Sequence, residues 1–137
     1  VYAAQTSYDP RVIQTMFDTD QIHPALLSFF GMGSAEDIDN PKFFPLFEDS
    51  SAMTHVSADD PPLYLFYTQA NTPMPPNSKG PEHIHHPKFG AMLKEKMDGL
   101  GVACIVKYRE DYPNLEANKG APWLDMAAFL QSQLNTK

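Results

Sequence analysis

Two short apolar runs, Leu63-Tyr64-Leu65-Phe66-Tyr67-Thr68 and Val102-Ala103-Cys104-Ile105-Val106-Lys107-Tyr108, flank a segment of helical periodicity, and this arrangement restricts the fold more than any other feature. The first run is too short for a helix of its own and follows Pro61-Pro62. Its unbroken apolar character suits a strand buried on both faces in a parallel sheet. Between the runs, Phe89, Met92, Leu93, Met97 and Leu100 recur at spacings of three and four, which predicts a helix from about Pro87 to Asp98. His86 is placed to cap that helix, Pro87 to take its first position and Gly99 to end it, with Lys94 and Lys96 toward the negative end of its dipole. Strand, helix, strand in this order makes a parallel crossover unit, so the expected class is α/β.

The flanking sequence fits this unit. Val1 to Ala4 reads as a further short strand, followed by a polar turn ending at Asp9-Pro10. Three brief amphipathic pieces come next: Val12, Ile13, Met16 and Phe17; Leu26, Leu27, Phe29 and Phe30; Phe43, Phe44, Leu46 and Phe47. Gly31 fits the left-handed position beyond a helix end, and Ser34 fits an N-cap. Phe29, Phe30, Phe43 and Phe44 either lid a core or wall a pocket for an apolar substrate. After the first strand a polar loop runs from Gln69 to His85, longer than the usual connection of about 4 to 6 residues. Proline clusters at Pro61 and Pro62 and at Pro73, Pro75 and Pro76 punctuate the chain, and the scattered methionines read as core filler. At the end, Pro122 opens a helix whose Trp123, Met126, Ala127, Leu130 and Leu134 form one apolar stripe. The expected layout is one domain over 1–137: strand and turn at 1–10, a helical cap-like region at 11–57, and strand-loop-helix-strand-helix at 58–137.

Composition narrows the function classes. A hydrophobic content of 42% supports a packed domain and excludes a collagen-like or wholly disordered chain. Ten Lys and Arg against seventeen Asp and Glu leave a net charge of -7, with no basic stripe to neutralise phosphates, so nucleic acid is not an expected partner. No apolar run approaches the roughly 20 residues needed to span a bilayer. Cys104 stands alone, so an intrachain disulfide is impossible and the compartment is left open between cytoplasm and a secreted protein freed of its signal. The opening at Val1, without Met and inside an apparent strand, suggests a processed or excised piece.

The string Ser51-Ala52-Met53-Thr54-His55-Val56-Ser57-Ala58-Asp59-Asp60-Pro61-Pro62, leading into the apolar strand, resembles the closing half of esterase/lipase-type α/β-hydrolases. His85-His86-Pro87-Lys88-Phe89-Gly90, followed by Leu93-Lys94-Glu95-Lys96-Met97-Asp98, looks like a feature of some bacterial members of that family. The resemblance covers the chain from about Ser50 to the end, and Val1 to Pro10 resembles the strand just after the nucleophile helix. It implies a partial α/β-hydrolase fold, with a short parallel sheet of about three strands and flanking helices, and descent from a carboxylic-ester hydrolase. No cofactor is implied, and a small ester or apolar ligand is the expected partner.

The departures from the family pattern are specific. No G-x-S-x-G element places a serine on a strand-to-helix turn; Gly31-Met32-Gly33-Ser34 lacks the buried strand that would make Ser34 a nucleophile. Asn71 stands where the family has its catalytic Asp, and an amide can orient a histidine without stabilising imidazolium. Asp9 is the alternative acid, against its reading as an Asp-Pro turn former. The stretch Arg109 to Asn114 contains no histidine, so His85 or His86 is the candidate for a relocated base. Adjacent Glu110 and Asp111 read as a solvated pair and Tyr64 and Tyr67 as core.

Two other readings stand beside the hydrolase. Glu82, His83, His85 and His86 are the densest set of potential ligands, and His83 with His85 would share one side of an extended loop and hold zinc, nickel or copper with help from His55 or His23. Alternatively the chain is a non-catalytic binding or assembly module of the same descent. In either case a strand at Val1 to Ala4 without its family neighbour exposes an edge, which favours a homo-oligomer or a complementing chain there.

Overall fold

In the computed structural model, which describes residues 1–75 and 78–135, the two apolar runs form parallel strands β1 (Leu63–Phe66) and β2 (Cys104–Lys107). Leu63 lies beside Cys104, Tyr64 beside Ile105, Leu65 beside Val106 and Phe66 beside Lys107. Pro76 of the second proline cluster lies outside the described residues.

The expected third strand is corrected by the structure. Val1 to Ala3 does run parallel to β1 on the side away from β2, with Phe66 N–H donating to Val1 C=O at 3.0 Å and Ala3 N–H to Phe66 C=O at 2.8 Å. Only one bridge forms, between Tyr2 and Phe66, so the sheet has two strands among the described residues. Ala3 adopts a φ of 44°, and that left-handed conformation breaks the extended geometry a strand requires.

The first layer of helices follows its prolines. α1 (Pro10–Phe17) and α2 (Pro24–Phe30) each begin on a proline, whose fixed φ suits the first helical turn. Asp9 Oδ1 accepts from Arg11 N–H at 2.9 Å and His23 Nδ1 from Ala25 N–H at 3.1 Å, capping the two helices. Gly31, at φ 68°, closes α2 as expected. Ser34 precedes the 3-10 turn Ala35–Asp39 but its side chain makes no cap bond; instead Asp37 Oδ2 accepts from Gly33 N–H at 2.7 Å. A second 3-10 turn (Pro41–Phe43), α3 (Phe44–Asp49) and α4 (Ala52–His55) complete the layer. Ile13, Met16, Leu26, Phe30, Phe43 and Phe47 make its core.

α5 (Gly80–His83) and α6 (Lys88–Gly99) connect β1 to β2. α6 works in two directions: Phe89 joins the helical core, while Leu93 and Met97 pack with Leu65 and Tyr67 of the sheet side. The close approach depends on Gly90, where a Cβ would lie 2.4 Å from the Tyr67 ring. Tyr67, fully buried, donates its hydroxyl proton to Ala4 C=O at 2.6 Å, and burial pushes its pKa up. Gly99 is the last helical residue, but the left-handed position belongs to Gly101 at φ 75°. Bonds from Val102 N–H to Met97 C=O (2.9 Å) and Gly101 N–H to Asp98 C=O (3.1 Å) form a Schellman closure.

After β2 come a 3-10 turn (Arg109–Asp111) and α7 (Ala121–Leu134), which meets the opposite face of the sheet. Phe129 packs on Tyr64 with ring centroids 5.5 Å apart, Trp123 stacks on Tyr2 at 5.4 Å, and Tyr112 donates to Asp125 Oδ2 at 2.7 Å. Because that proton is committed, Tyr64 is the donor in its 2.9 Å bond to Tyr112, which makes a short relay into α7. β1 is thus covered on both faces, as its continuous apolar pattern requires. No helix among the described residues is long and apolar enough to cross a membrane.

Candidate functional site

A cleft of about 360 Å³ lies between the end of α1, the loop that follows β1 and the start of α6, walled by Phe17, Asn71, Thr72, Met74, His86 and Lys88. A concave surface with a few polar groups among apolar walls is the kind of place that holds a small ligand. Two residues singled out in the sequence, Asn71 and His86, therefore meet on one surface. Asn71 is held by its backbone: its N–H donates to Glu110 Oε1 at 2.9 Å, which leaves the side-chain amide toward solvent.

His86 is fixed on both nitrogens. Lys88 N–H donates to Nδ1 at 3.1 Å, so the ring proton sits on Nε2 and is given to Thr72 C=O at 3.0 Å. The Nδ1 contact is the helix-capping role expected of this residue, although Pro87 is formally the cap. Burial pushes the His86 pKa down, with the nearby Lys88 acting the same way against the bond to Thr72. Neutral and doubly hydrogen-bonded, His86 has no lone pair free to take a proton from a nucleophile.

His83 and His85 diverge. Residues Gly80 to His83 form a helical turn rather than the extended loop that would put both rings on one side. His83 points inward, stacked on Phe17 at 4.4 Å with Nε2 2.8 Å from Ser78 Oγ, while His85 Nδ1 donates to Ala3 C=O at 2.9 Å and tethers the N-terminal segment. His23 caps α2, and His55 Nε2 donates to Asp49 C=O at 3.0 Å on the surface. No three metal-ligating side chains converge among the described residues.

Asp9 is buried, caps α1 and forms a two-pronged bond with Arg11 (Nε to Oδ1 3.0 Å, Nη2 to Oδ2 2.6 Å); its main-chain N–H is held by Ser51 Oγ at 3.2 Å. All of its acceptor capacity is spent on structure, in keeping with the turn-forming reading. Ser34 is exposed and apart from any histidine bond. Of the four phenylalanines, Phe30 and Phe43 are core, and both pack on Phe47. Phe44 lies under the Arg11 guanidinium at 4.0 Å. Phe29 alone is mostly exposed, at 63%, and with Tyr8, Leu26 and Ile84 lines a separate apolar cleft of about 530 Å³.

Sequence reasoning missed the Ser78–His83 pair. A hydroxyl hydrogen-bonded to imidazole is the pairing that activates a serine. Here both side chains are buried, neither lines the cleft, and His83 Nδ1 has no hydrogen-bond partner among the described residues. Five residues separate the two across an irregular turn, a spacing that carries no signature. Neither protein-family models nor curated proteins nor solved structures give a match to this chain, and the structure shows a small mixed α/β fold with a two-stranded parallel sheet.

Proposed function

We propose that the chain is a carboxylic-ester hydrolase relative of α/β-hydrolase type that supplies the substrate-side wall of a site whose nucleophile comes from another segment. The observation that carries this reading is the order of parallel backbone segments, Val1–Ala3, β1, β2, with α6 crossing between the last two. Tyr2, whose N–H and C=O face away from β1, has no main-chain partner among the described residues, and such an edge accepts a further strand. Under this reading the incoming strand brings the reactive hydroxyl and its base. Asn71 then stands at the acid position as an orienting amide, and a small ester lies in the cleft that Asn71 and His86 line. The same edge serves a second copy of the chain when no complement is present.

The test is turnover of p-nitrophenyl butyrate by the chain alone and mixed with a hydrolase half bearing a G-x-S-x-G strand-turn-helix. Turnover is expected only in the mixture, and hydrolysis by the isolated chain that survives alanine replacement of every serine would sink the reading. A second reading, a non-catalytic binding module of the same descent, is favoured by His86, whose two nitrogens are both occupied. Its mark is stabilisation by an apolar ester without hydrolysis in either sample.

A further inference from the structure

A second cleft, also of about 360 Å³, lies between the start of α7 and the loop that follows β2. Its wall is aromatic: Tyr2, Phe66 and Trp123 all line it, with Tyr2 stacked on Trp123 (5.4 Å, 11°) and set edge-on to Phe66 (5.8 Å, 63°). Tyr2 and Trp123, both part of the lining, leave about half of their surface open, at 48% and 55%. Stacked aromatic rings offer a flat apolar surface on which another planar ring can pack.

The rim is cationic. Arg109 and Lys119 both line the cleft against the single carboxylate of Glu116, so two positive charges less one negative leave one positive charge. Glu116 holds Arg109 only loosely, with Oε1 3.5 Å from Nη2 and both side chains more than half exposed, and an ion pair of that kind yields readily to a competing anion. Lys119 has no ion-pair partner among the described residues. In a chain of net charge -7 the lining of this cleft itself carries one net positive charge.

We propose that this cleft binds a planar aromatic carboxylate, its ring against the Tyr2, Phe66 and Trp123 wall and its carboxylate on Arg109 and Lys119. One uncompensated positive charge matches a monoanion better than a dianionic phosphate. A guanidinium presents paired donors to a carboxylate, and displacing Glu116 leaves Arg109 free to do so. The volume falls within the range of small-molecule sites and accommodates a bicyclic acid. The inference does not rest on the ester-hydrolase reading, since binding here needs no nucleophile and no complementing chain.

Trp123 is the one tryptophan of the sequence, so its indole N–H gives a single resonance that reports on this cleft. The ¹⁵N-labelled chain is titrated with sodium 2-naphthoate, with neutral 2-naphthamide, and with cyclohexanecarboxylate, which has the charge without the ring. A saturable shift of the Trp123 resonance by 2-naphthoate is expected, weakened by salt, with the two comparators bound at least about tenfold less tightly. Lys119→Ala and Arg109→Ala are each expected to weaken 2-naphthoate by several-fold and to leave the remaining resonances in place. Lys119→Gln, a surface change without effect on packing, repeats the test if either variant unfolds. Absence of a saturable shift, equal binding of the amide, or unchanged affinity in the charge-removed variants overturns the proposal.

Discussion

α6 and α7 look alike in sequence and fare differently in the fold. Each is introduced by a proline and carries an apolar stripe at helical spacing. α6 buries Phe89, Leu93 and Met97 almost completely, because the helical layer presses on one side of it and the sheet on the other. α7 buries only Pro122; Trp123 is 55% exposed, Leu130 59% and Leu134 75%. A stripe states which face of a helix is apolar. Whether that face is covered depends on what else the chain brings to it, and among the described residues the α7 side of the sheet receives little. The open Tyr2 edge lies on that same side, next to Trp123.

The largest effect is expected where α6 is enclosed. Phe89 joins the helical core and meets Phe17 at 5.8 Å, so Phe89→Ala removes ring contacts that neighbouring elements cannot collapse to replace. A loss of about 3 to 5 kcal/mol is expected from denaturant unfolding. A loss below about 1 kcal/mol would show that α6 is no better packed than α7 and would erase the contrast.

This contrast also marks what could be read from the sequence. The two strands, their parallel order, both apolar helices and the Gly31 closure follow from local rules, because each depends on periodicity or on one residue's backbone freedom. The fate of the phenylalanines does not: Phe29 and Phe30 are adjacent and equally apolar, yet one faces solvent and the other Phe47, since helical rotation and the position of α3 decide it. Ala3 cuts the expected Val1 to Ala4 strand down to a single bridge by a φ that alanine seldom adopts, which no propensity foretells. At the site, Pro87 holds the cap position expected of His86, one residue further along; the His86 ring still accepts the Lys88 N–H, and its second nitrogen is taken by Thr72 through the course of the Gln69 to His85 loop. The Ser78–His83 contact likewise arises from a helical turn where an extended loop was expected.

A second, smaller effect separates the covered side from the open one by pH. His83 and His86 both contact the Phe17 ring, and burial lowers both pKa values below the ordinary 6.5. Of the charges near them, Glu82 opposes the shift at His83 and Lys88 adds to it at His86. In the unfolded chain both histidines protonate near 6.5, so below that pH the unfolded state holds more protons than the folded one. Stability is therefore complete above pH 6.5 and declines as the pH falls from there toward the lowered folded values. Urea midpoints at pH 7.5 and 5.5 check the sign. His83→Gln with His86→Gln should flatten the dependence, and a midpoint that rises on acidification would mean that the pair is not buried.

The smallest effect is expected on α7, and it is the one that discriminates most. Leu134 makes so little contact that Leu134→Gln should change the stability of the isolated chain by no more than about 0.5 kcal/mol in either direction. Leu130→Gln should behave in the same way, because it is bared on the same helix. If the open edge takes up a second copy or a complementing strand, the α7 face beside it becomes interface. The same substitutions then weaken association while leaving unfolding of the dilute chain unchanged. Sedimentation equilibrium of wild type and Leu134→Gln across a concentration series separates the cases. A shift toward monomer in the variant, with equal urea midpoints at low concentration, places the missing cover of α7 in another chain. Sedimentation of both proteins as monomers across the series leaves the stripe without a partner of its own kind and removes self-association from the account of the edge.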